Sequence, residues 1–341
     1  MALQASGQIK YSEIIAEFGT PNSGGIGEYR LSENVGTLTN LPLDTGVPQS
    51  GQIKFSDFYS KKLNQIVDLY SIGNNTSRQN AKDRWNTGNV HIVGSTKTGK
   101  TQPPNTNDDR VIINVNATIA SVKGTQTHCA LRTGTWDSNT TLEIEIGTSG
   151  KLYGSGGDGG TGGNANETPG TDGQTGSSAL GIDYPCSVNN LGVIQSGYGG
   201  GGGGGGNTRT TGGGKKSGAT TNGSSGGGGG GGAGLPAGSA GGVSTPLSVG
   251  GGSAGSAGQA GSLSGQATGG AGGSEAGAGG DSSPVNNSAT KADNGTSPSG
   301  AAAGGTGGNN GYAIITNQGS APSLSGGGTL TGRTITSTNP T

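Results

Sequence analysis

Few residues in this chain have the types and spacing that do chemistry. Gly94-Ser-Thr-Lys-Thr-Gly-Lys-Thr101 satisfies the phosphate-loop pattern G-x-x-x-x-G-K-[ST] and follows a strand-like Val90 to Val93. In that pattern backbone amides and a lysine cradle phosphates at the start of a helix. Here Gln102-Pro-Pro-Asn follows, and consecutive prolines abort the helix that the chemistry needs. The segment reads as an exposed turn between strands. His91, His128, Cys129 and Cys186 are all the histidines and cysteines of the chain. They lack the paired spacing of a zinc site. On an extended segment His128 and Cys129 point to opposite faces, so they cannot act together as base and nucleophile. Asp158, in Gly156-Gly-Asp-Gly-Gly160, sits in a sequence close to the calcium-binding repeat G-G-x-G-x-D, but that register requires an acid where Thr161 stands. The sequence therefore supports no catalytic residue, no metal and no cofactor, and the expected class is a non-enzyme.

The elements that must position any site are dictated by glycine. Of 341 residues 79 are glycine, and the hydrophobic share is 27% against an ordinary share of about 45–50%, so one conventional large core is excluded. Charged residues make up 11% and the net charge is −1. Disordered chains usually carry more charge, and a neutral balance removes the electrostatic case for nucleic acid or an anionic membrane. No run approaches the roughly 20 apolar residues of a membrane span. MALQASGQIKYSEII lacks the order of a secretion signal, which suggests a soluble chain made in a cytoplasm, its two thiols reduced.

Glycine is concentrated beyond residue 150, with 16 in residues 1–150 and 63 in residues 151–341, while both tryptophans and all three phenylalanines precede that point. Three regions are expected. Residues 1–62 form an arm in which Ser6-Gly-Gln-Ile-Lys-Tyr-Ser-Glu-Ile14 returns as Ser50-Gly-Gln-Ile-Lys-Phe-Ser-Asp-Phe58. Each copy reads as an extended piece and a short helix capped by Ser12 or Ser56, with Gly19 stopping the first helix and Lys61 and Lys62 in the last turn of the second. The arm has too few apolar residues for a core of its own and reads as an attachment element, with Ile9, Tyr11, Ile53, Phe55 and Phe58 as its candidate contacts. Residues 63–153 read as a small antiparallel β domain of about five strands with one wet face, because Val111, Ile113 and Val115, and then Leu142, Ile144 and Ile146, alternate with other residues.

Residues 154–341 alternate glycine runs, notably Gly199 to Gly206 and Gly226 to Gly232, with richer segments. A three-residue glycine step from Gly252 to Gly261 breaks at Ser264, and 13 prolines are too few for collagen. The alternative that keeps the tract ordered is a bundle of glycine helices of the polyproline-II type, with three residues per turn and no internal hydrogen bonds. Such helices must pair their outward backbone groups with neighbours, and the segments between them become loops.

Thr141-Leu-Glu-Ile-Glu-Ile-Gly-Thr-Ser-Gly-Lys-Leu-Tyr-Gly-Ser-Gly-Gly157, a strand running into glycine, and the closing Asn309-Asn-Gly-Tyr-Ala-Ile-Ile-Thr316 resemble the borders of the glycine-rich domain of phage tail-fibre adhesins of the T-even type. That resemblance covers roughly residues 140–341. It implies a polyglycine type II helix sandwich, a virion location on a tail fibre or baseplate, and loops that bind a host receptor, an outer-membrane protein or a glycan. It also implies that the arm docks to another phage fibre or baseplate protein. Loops on a rigid scaffold carry recognition, and the larger side chains of the interhelix segments, Tyr184, Leu191, Leu235, Leu247, Val285 and Asn286, are the receptor-binding candidates. A structural virion protein using the glycine region as a spacer is the alternative. A glycine-rich surface or ice-binding protein is disfavoured by the irregular segments.

Overall fold

The structure, a computed structural model, describes residues 3–74, 76–101, 109–164, 168–205, 207–211, 220–224, 228–242, 304–316 and 322–335. Leu247, Val285 and Asn286, and the glycine step beginning at Gly252, lie outside these.

The arm opens with α1 (Tyr11–Phe18), which ends at Gly19 with φ 87°. The serines expected as caps do not cap. The helices begin two residues earlier than Ser12 and Ser56 caps would place them, and the carboxylates of Glu13 and Asp57 reach back to the amides of Lys10 and Lys54, each at 2.7 Å. An acid at the third helical position secures the start from inside. The second copy is one 3-10 turn, Phe55–Phe58. Its chain turns extended at Tyr59, which leaves Lys61 and Lys62 outside the helix. Between the copies lies a ribbon of β1 (Glu33–Val35) and β2 (Leu38–Leu41).

The β region is parallel, not antiparallel. The chain winds through three sheets in turn, one strand in each, and repeats the circuit five times. The first rung is β3 (Asn64–Leu69), β4 (Thr76–Ser77) and β5 (Gln79–Asn80), followed by α2 (Ala81–Asn86), β6 (Val90–Ile92) and α3 (Ser95–Thr98). The second is β7 (Arg110–Val115), β8 (Thr118–Ala120) and β9 (Cys129–Arg132), and the third is β10 (Thr141–Ile146), β11 (Lys151–Tyr153) and β12 (Ser178–Ile182). The fourth is β13 (Ser187–Asn190) and β14 (Val193–Gln195), then a ribbon of β15 (Asn207–Thr211) and β16 (Thr220–Ser224), then β17 (Tyr312–Thr316). The fifth is β18 (Ser323–Ser325), β19 (Thr329–Thr331) and β20 (Arg333–Ile335). Within the three sheets only the β3–β6 pair is antiparallel.

Alternation in sequence fixes which face of a strand is apolar but not the direction of its neighbours. The signal for parallel pairing is in β7, whose Val111, Ile112, Ile113, Asn114 and Val115 are all buried; strands of parallel sheets are commonly covered on both faces. Inward side chains stack rung on rung. Val67, Ile113, Ile144 and Val188 form one fully buried column, Ile119, Leu152 and Ile194 a second, and Leu131, Leu180 and Ile314 a third. Strands from both sides of position 153 thus share these sheets, and the β unit expected over 63–153 takes further strands from beyond 154. The outward face of the first two rungs is not wet. Ile66, Ile92 and Ile112 pack with the arm's Ile14, Phe18, Tyr29, Leu43 and Phe58 in a second core, where Phe18, Tyr29 and Phe58 meet edge to face with centroids 5.5–6.0 Å apart.

Rungs three and four each make a glycine-rich excursion between their second and third strands. Six described segments result, 154–163, 170–177, 197–205, 228–234, 236–242 and 304–311, and their backbones bond to one another with a three-residue step. The amides of Gly154, Gly157, Gly160 and Gly163 donate to the carbonyls of Gln195, Tyr198, Gly201 and Gly204, all at 2.8 Å. Those of Gly156, Gly159 and Gly162 donate to Pro236, Ser239 and Gly242 at 2.9–3.0 Å. Ser155, Asp158 and Thr161 accept from Ser177, Gln174 and Thr171 at 2.7–2.9 Å. The 197–205 segment likewise receives bonds from Gly305, Gly308 and Gly311 and donates to Ala233 and Gly230. This pattern sets the segments in two staggered layers of three: 170–177, 154–163 and 236–242 against 304–311, 197–205 and 228–234.

Glycine count differs among the segments. Two need one glycine per three residues, at Gly170, Gly173, Gly176 and at Gly305, Gly308, Gly311, while 228–234 needs two in three, at Gly228, Gly229, Gly231 and Gly232, and the central 197–205 is glycine at every residue but Tyr198. A Cβ on Gly203 would lie 2.1 Å from the Thr161 carbonyl oxygen, and one on Gly229 would lie 2.0 Å from that of Gly201. On Gly242 the nearest atom is a methyl group 3.9 Å away. Gly203→Val and Gly229→Val are therefore expected to cost at least about 3 kcal/mol and to lower Tm by several degrees, whereas Gly242→Ala should melt as the parent does. Thermal unfolding of the three variants checks this, and parental melting of either valine variant would show that glycine is not the core residue there.

Candidate functional site

The direction of each glycine segment decides which loops can form a site. Segments 154–163, 197–205 and 236–242 run away from the β coil and 170–177, 228–234 and 304–311 return to it, as the descending partner numbers of each antiparallel pair require. The chain consequently leaves and re-enters the layers at 164/168, 205/228 and 242/304, all at the end remote from the coil. An extended backbone advances about 3 Å per residue, so ten residues place that end roughly 30 Å away. The first crossing is closed by Thr168, whose Oγ1 accepts the Asn164 amide at 2.5 Å. The second carries the β15–β16 ribbon, paired from Asn207 with Ser224 to Thr211 with Thr220.

Carboxylates on the layer edges tie neighbouring segments together. Asp158 accepts the Ser239 amide at 2.6 Å and the Lys123 ammonium at 2.5 Å, and Lys123 also reaches Ser239 Oγ at 3.2 Å. Partial burial pushes the Asp158 carboxyl up, but Lys123 and Ser239 outweigh it, so its pKa falls below the ordinary value. Asp172 accepts the Thr306 amide at 2.6 Å and is also lowered, by its hydrogen bonds to Thr306. The role of Asp158 is thus a clasp between the coil and two glycine segments.

Three of the receptor candidates lie elsewhere than on the remote loops. Tyr184 follows β12 on the coil, where its hydroxyl donates to the Asp137 and Thr140 carbonyls at 2.9 and 3.1 Å. Leu191 turns the chain from β13 to β14 and is 48% exposed, and Leu235 turns it from 228–234 to 236–242 at the coil end, its amide on the Gly154 carbonyl. Each sits in a stretch between glycine runs, but only the backbone bonding reveals that these stretches return to the coil. The stretches 164–168 and 207–224 contain few apolar residues and so carry no apolar signal; the G-x-x step of residues 170–176 is the feature that sets the segment after residue 168 apart from the one before 164. Of the attachment candidates, Ile9 and Phe58 are buried in the arm's core, Tyr11 and Ile53 are half-buried, and Phe55 is exposed.

The other chemical candidates have structural partners. Ser95–Thr98 forms the single turn α3 between Gly94 and Gly99, both left-handed, and Lys100 Nζ donates to the Ala16 carbonyl, so the phosphate-loop pattern joins the β coil to the arm. His91 Nε2 lies 2.9 Å from Glu33 Oε2. His128 Nδ1 is buried without a hydrogen-bond partner, Cys129 is buried, and burial pushes the Cys186 thiol up to about 12. Among the described residues no group of three or more His, Cys, Asp or Glu could hold a metal ion, and no helix is long and apolar enough to cross a membrane.

A β coil that carries two layers of backbone-bonded glycine segments, with the turns at 164/168, 205/228 and 242/304 at the remote end and the Leu235 turn at the coil, defines a scaffold that displays loops. A family model described as phage tail fibre adhesin Gp38 matches residues 85–335; the chain belongs to this family of tail-fibre adhesins, and its place is the tail fibre of a virion. A solved structure, the gp37–gp38 adhesin tip complex of the long tail fibre of bacteriophage S16, matches at 17% identity over 96% of this chain and 99% of that one, with a TM-score of 0.34. No curated protein matches.

The lowered carboxylates set an acid dependence. A group whose folded pKa is depressed adds stability above its unfolded pKa, near 3.9 for Asp, and that stability is lost as pH falls through the folded value. Asp158→Asn and Asp172→Asn should therefore lower Tm at pH 7 and flatten the loss of Tm between about pH 4 and pH 2, measured by thermal melts across that range. Parental acid sensitivity in both variants would remove these carboxylates as clasps.

Proposed function

We propose that this chain is the receptor-binding tip of its fibre, that the glycine layers are a polyglycine type II helix sandwich, and that the loops at the end remote from the coil bind a host surface receptor, an outer-membrane protein or a glycan. The reading assigns no catalytic step. The three-residue bonding step between segments supports the sandwich, because helices without internal hydrogen bonds must pair with neighbours in that period. The observation that carries the receptor reading is the convergence of all three crossings, 164/168, 205/228 and 242/304, on one end. Loops fixed at one end of a rigid scaffold are placed for recognition. The arm at the other end of the molecule is the docking element for another phage fibre or baseplate protein.

Adsorption of particles to host cells tests the receptor reading. Replacing 164–168 or 207–224 with Gly-Ser sequence should slow adsorption about thirtyfold, the loss of an anchor worth about 2 kcal/mol, with the melting temperature unchanged. Leu191→Ser and Leu235→Ser should adsorb as the parent does, and Leu247→Ser, Val285→Ser and Asn286→Ala extend the test to the remaining candidates. Adsorption unchanged in every loop variant would make the glycine region a spacer.

A further inference from the structure

Four of the six glycine segments run directly into a strand of the coil: 154–163 follows β11, 170–177 precedes β12, 197–205 follows β14 and 304–311 precedes β17. Covalent continuity fixes their position along the layers. The other two, 228–234 and 236–242, form a hairpin that reaches the coil only by its Leu235 turn, and its two ends lead to the remote crossings 205/228 and 242/304. The position of this hairpin must be set by non-covalent bonds.

Backbone bonds define that position poorly, because they repeat. Gly156, Gly159 and Gly162 donate to Pro236, Ser239 and Gly242, Tyr198 and Gly201 donate to Ala233 and Gly230, and Gly229 and Gly232 donate to Gly160 and Gly157. Residues 154–162 are three copies of Gly-x-Gly, x being Ser155, Asp158 and Thr161, so a hairpin moved outward by three residues meets the same backbone again. Leu235 would bond Gly157 as it now bonds Gly154. The loss falls at the coil end, on the Gly156 and Tyr198 amides and the Gly154 carbonyl. Such a step moves the hairpin about 9 Å, at about 3 Å per residue. The inward step is closed, because it would set the turn against Lys151 in β11.

Side chains break the repeat. Asp158 is the one acid at the x positions, and its Oδ1 accepts the Ser239 amide at 2.6 Å. Lys123, in the loop that follows β8, donates to the same oxygen at 2.5 Å and to Ser239 Oγ at 3.2 Å. That loop is itself tied to the returning segments, where Thr175 Oγ1 donates to the Gly124 carbonyl at 3.2 Å and Gln126 Nε2 to the Asn310 carbonyl at 2.5 Å. One step outward would bring Pro236, which has no N–H, to the level of Asp158 and leave Ser239 beside Thr161. We propose that Lys123, Asp158 and Ser239 are a register lock, positioning residues that, with Pro236 excluding the next register, set the height at which the 205/228 and 242/304 crossings present their loops. The consequence for adsorption rests on the reading of those loops as receptor-binding; the lock does not.

Residue-resolved amide hydrogen exchange on the full chain, with adsorption of particles carrying the same variants, tests the lock. Combining Pro236→Ser with Ser239→Pro moves the amide and the hydroxyl one step along the hairpin, so that the outward register becomes the one Asp158 and Lys123 can hold. The Gly156 and Tyr198 amides should then exchange at least about tenfold faster, while those of Gly159 and Gly201, which have acceptors in both registers, keep parental protection. Asp158→Ala, which leaves the Leu235 turn intact, should show the same selectivity to a smaller degree. Simple destabilisation would accelerate all four amides together. Absence of the selectivity from both variants, whether all four amides stay parental or all four accelerate alike, would overturn the proposal. Selective exchange with slowed adsorption supports the lock and the receptor reading together; selective exchange with parental adsorption supports the lock and removes these two crossings from the receptor site.

Discussion

The structure depends on one contact that only glycine permits: a backbone amide from one segment meeting a backbone carbonyl of another with no Cβ between them. In the layers such contacts recur every third residue, and an added Cβ would come within about 2 Å of a carbonyl oxygen at position after position. The stabilisation is of a different kind from an apolar core. A buried amide without a partner costs about 1–3 kcal/mol, while a made bond yields only about 0.5–1.5 kcal/mol net, so the arrangement is held chiefly by the cost of breaking it. Glycine loses more backbone entropy than any other residue on ordering, and the layers must begin from something already ordered.

The β coil supplies that start. β11 and β14 are parallel neighbours that pair Tyr153 with Gln195, and the next bonds along the same two chains are Gly154 to Gln195 and Gly157 to Tyr198. The ladder continues without interruption while its step lengthens from two residues to three. The same happens in reverse where 170–177 and 304–311, joined through Gly173 to Thr306 and Gly176 to Asn309, run into the paired strands β12 and β17. Strand spacing in the coil, about 4.8 Å, thus brings the first glycine residues into bonding distance. Ser155 and Ser177, buried and joined through their hydroxyls at 3.0 Å, lie at this transition.

Much of this was legible in the sequence, and the omissions have particular causes. The glycine content required backbone pairing, which the three-residue bonding step between segments displays. The buried clusters of the arm were underestimated because its apolar residues were counted alone, when Phe18, Tyr29 and Phe58 share a core with Ile66, Ile92 and Ile112 on the coil. The parallel pairing of the rungs is not legible because periodicity fixes the face a residue takes but not the direction of the next strand. The candidate loops were chosen by their apolar side chains, and chain direction was invisible: Leu235 and the 207–224 ribbon both sit between glycine runs, but one turns at the coil and the other at the remote end.

A core made of backbone atoms has a consequence for how such a protein can change. Apolar cores read side-chain volume, so a substitution beneath a loop is felt in its packing. Glycine layers read only the presence or absence of a Cβ, and the bonds between their central segments run from backbone to backbone. Those crossings can differ in length and composition while 154–163, 197–205 and 228–234 keep the same bonds, because lengthening a loop adds closure entropy only slowly, about 0.6 kcal/mol per doubling. The arm is built on the opposite principle, with paired aromatic groups, capped turns and a volume-sensitive core under its exposed repeat. One end of the molecule is thereby suited to keeping a fixed surface and the other to varying one.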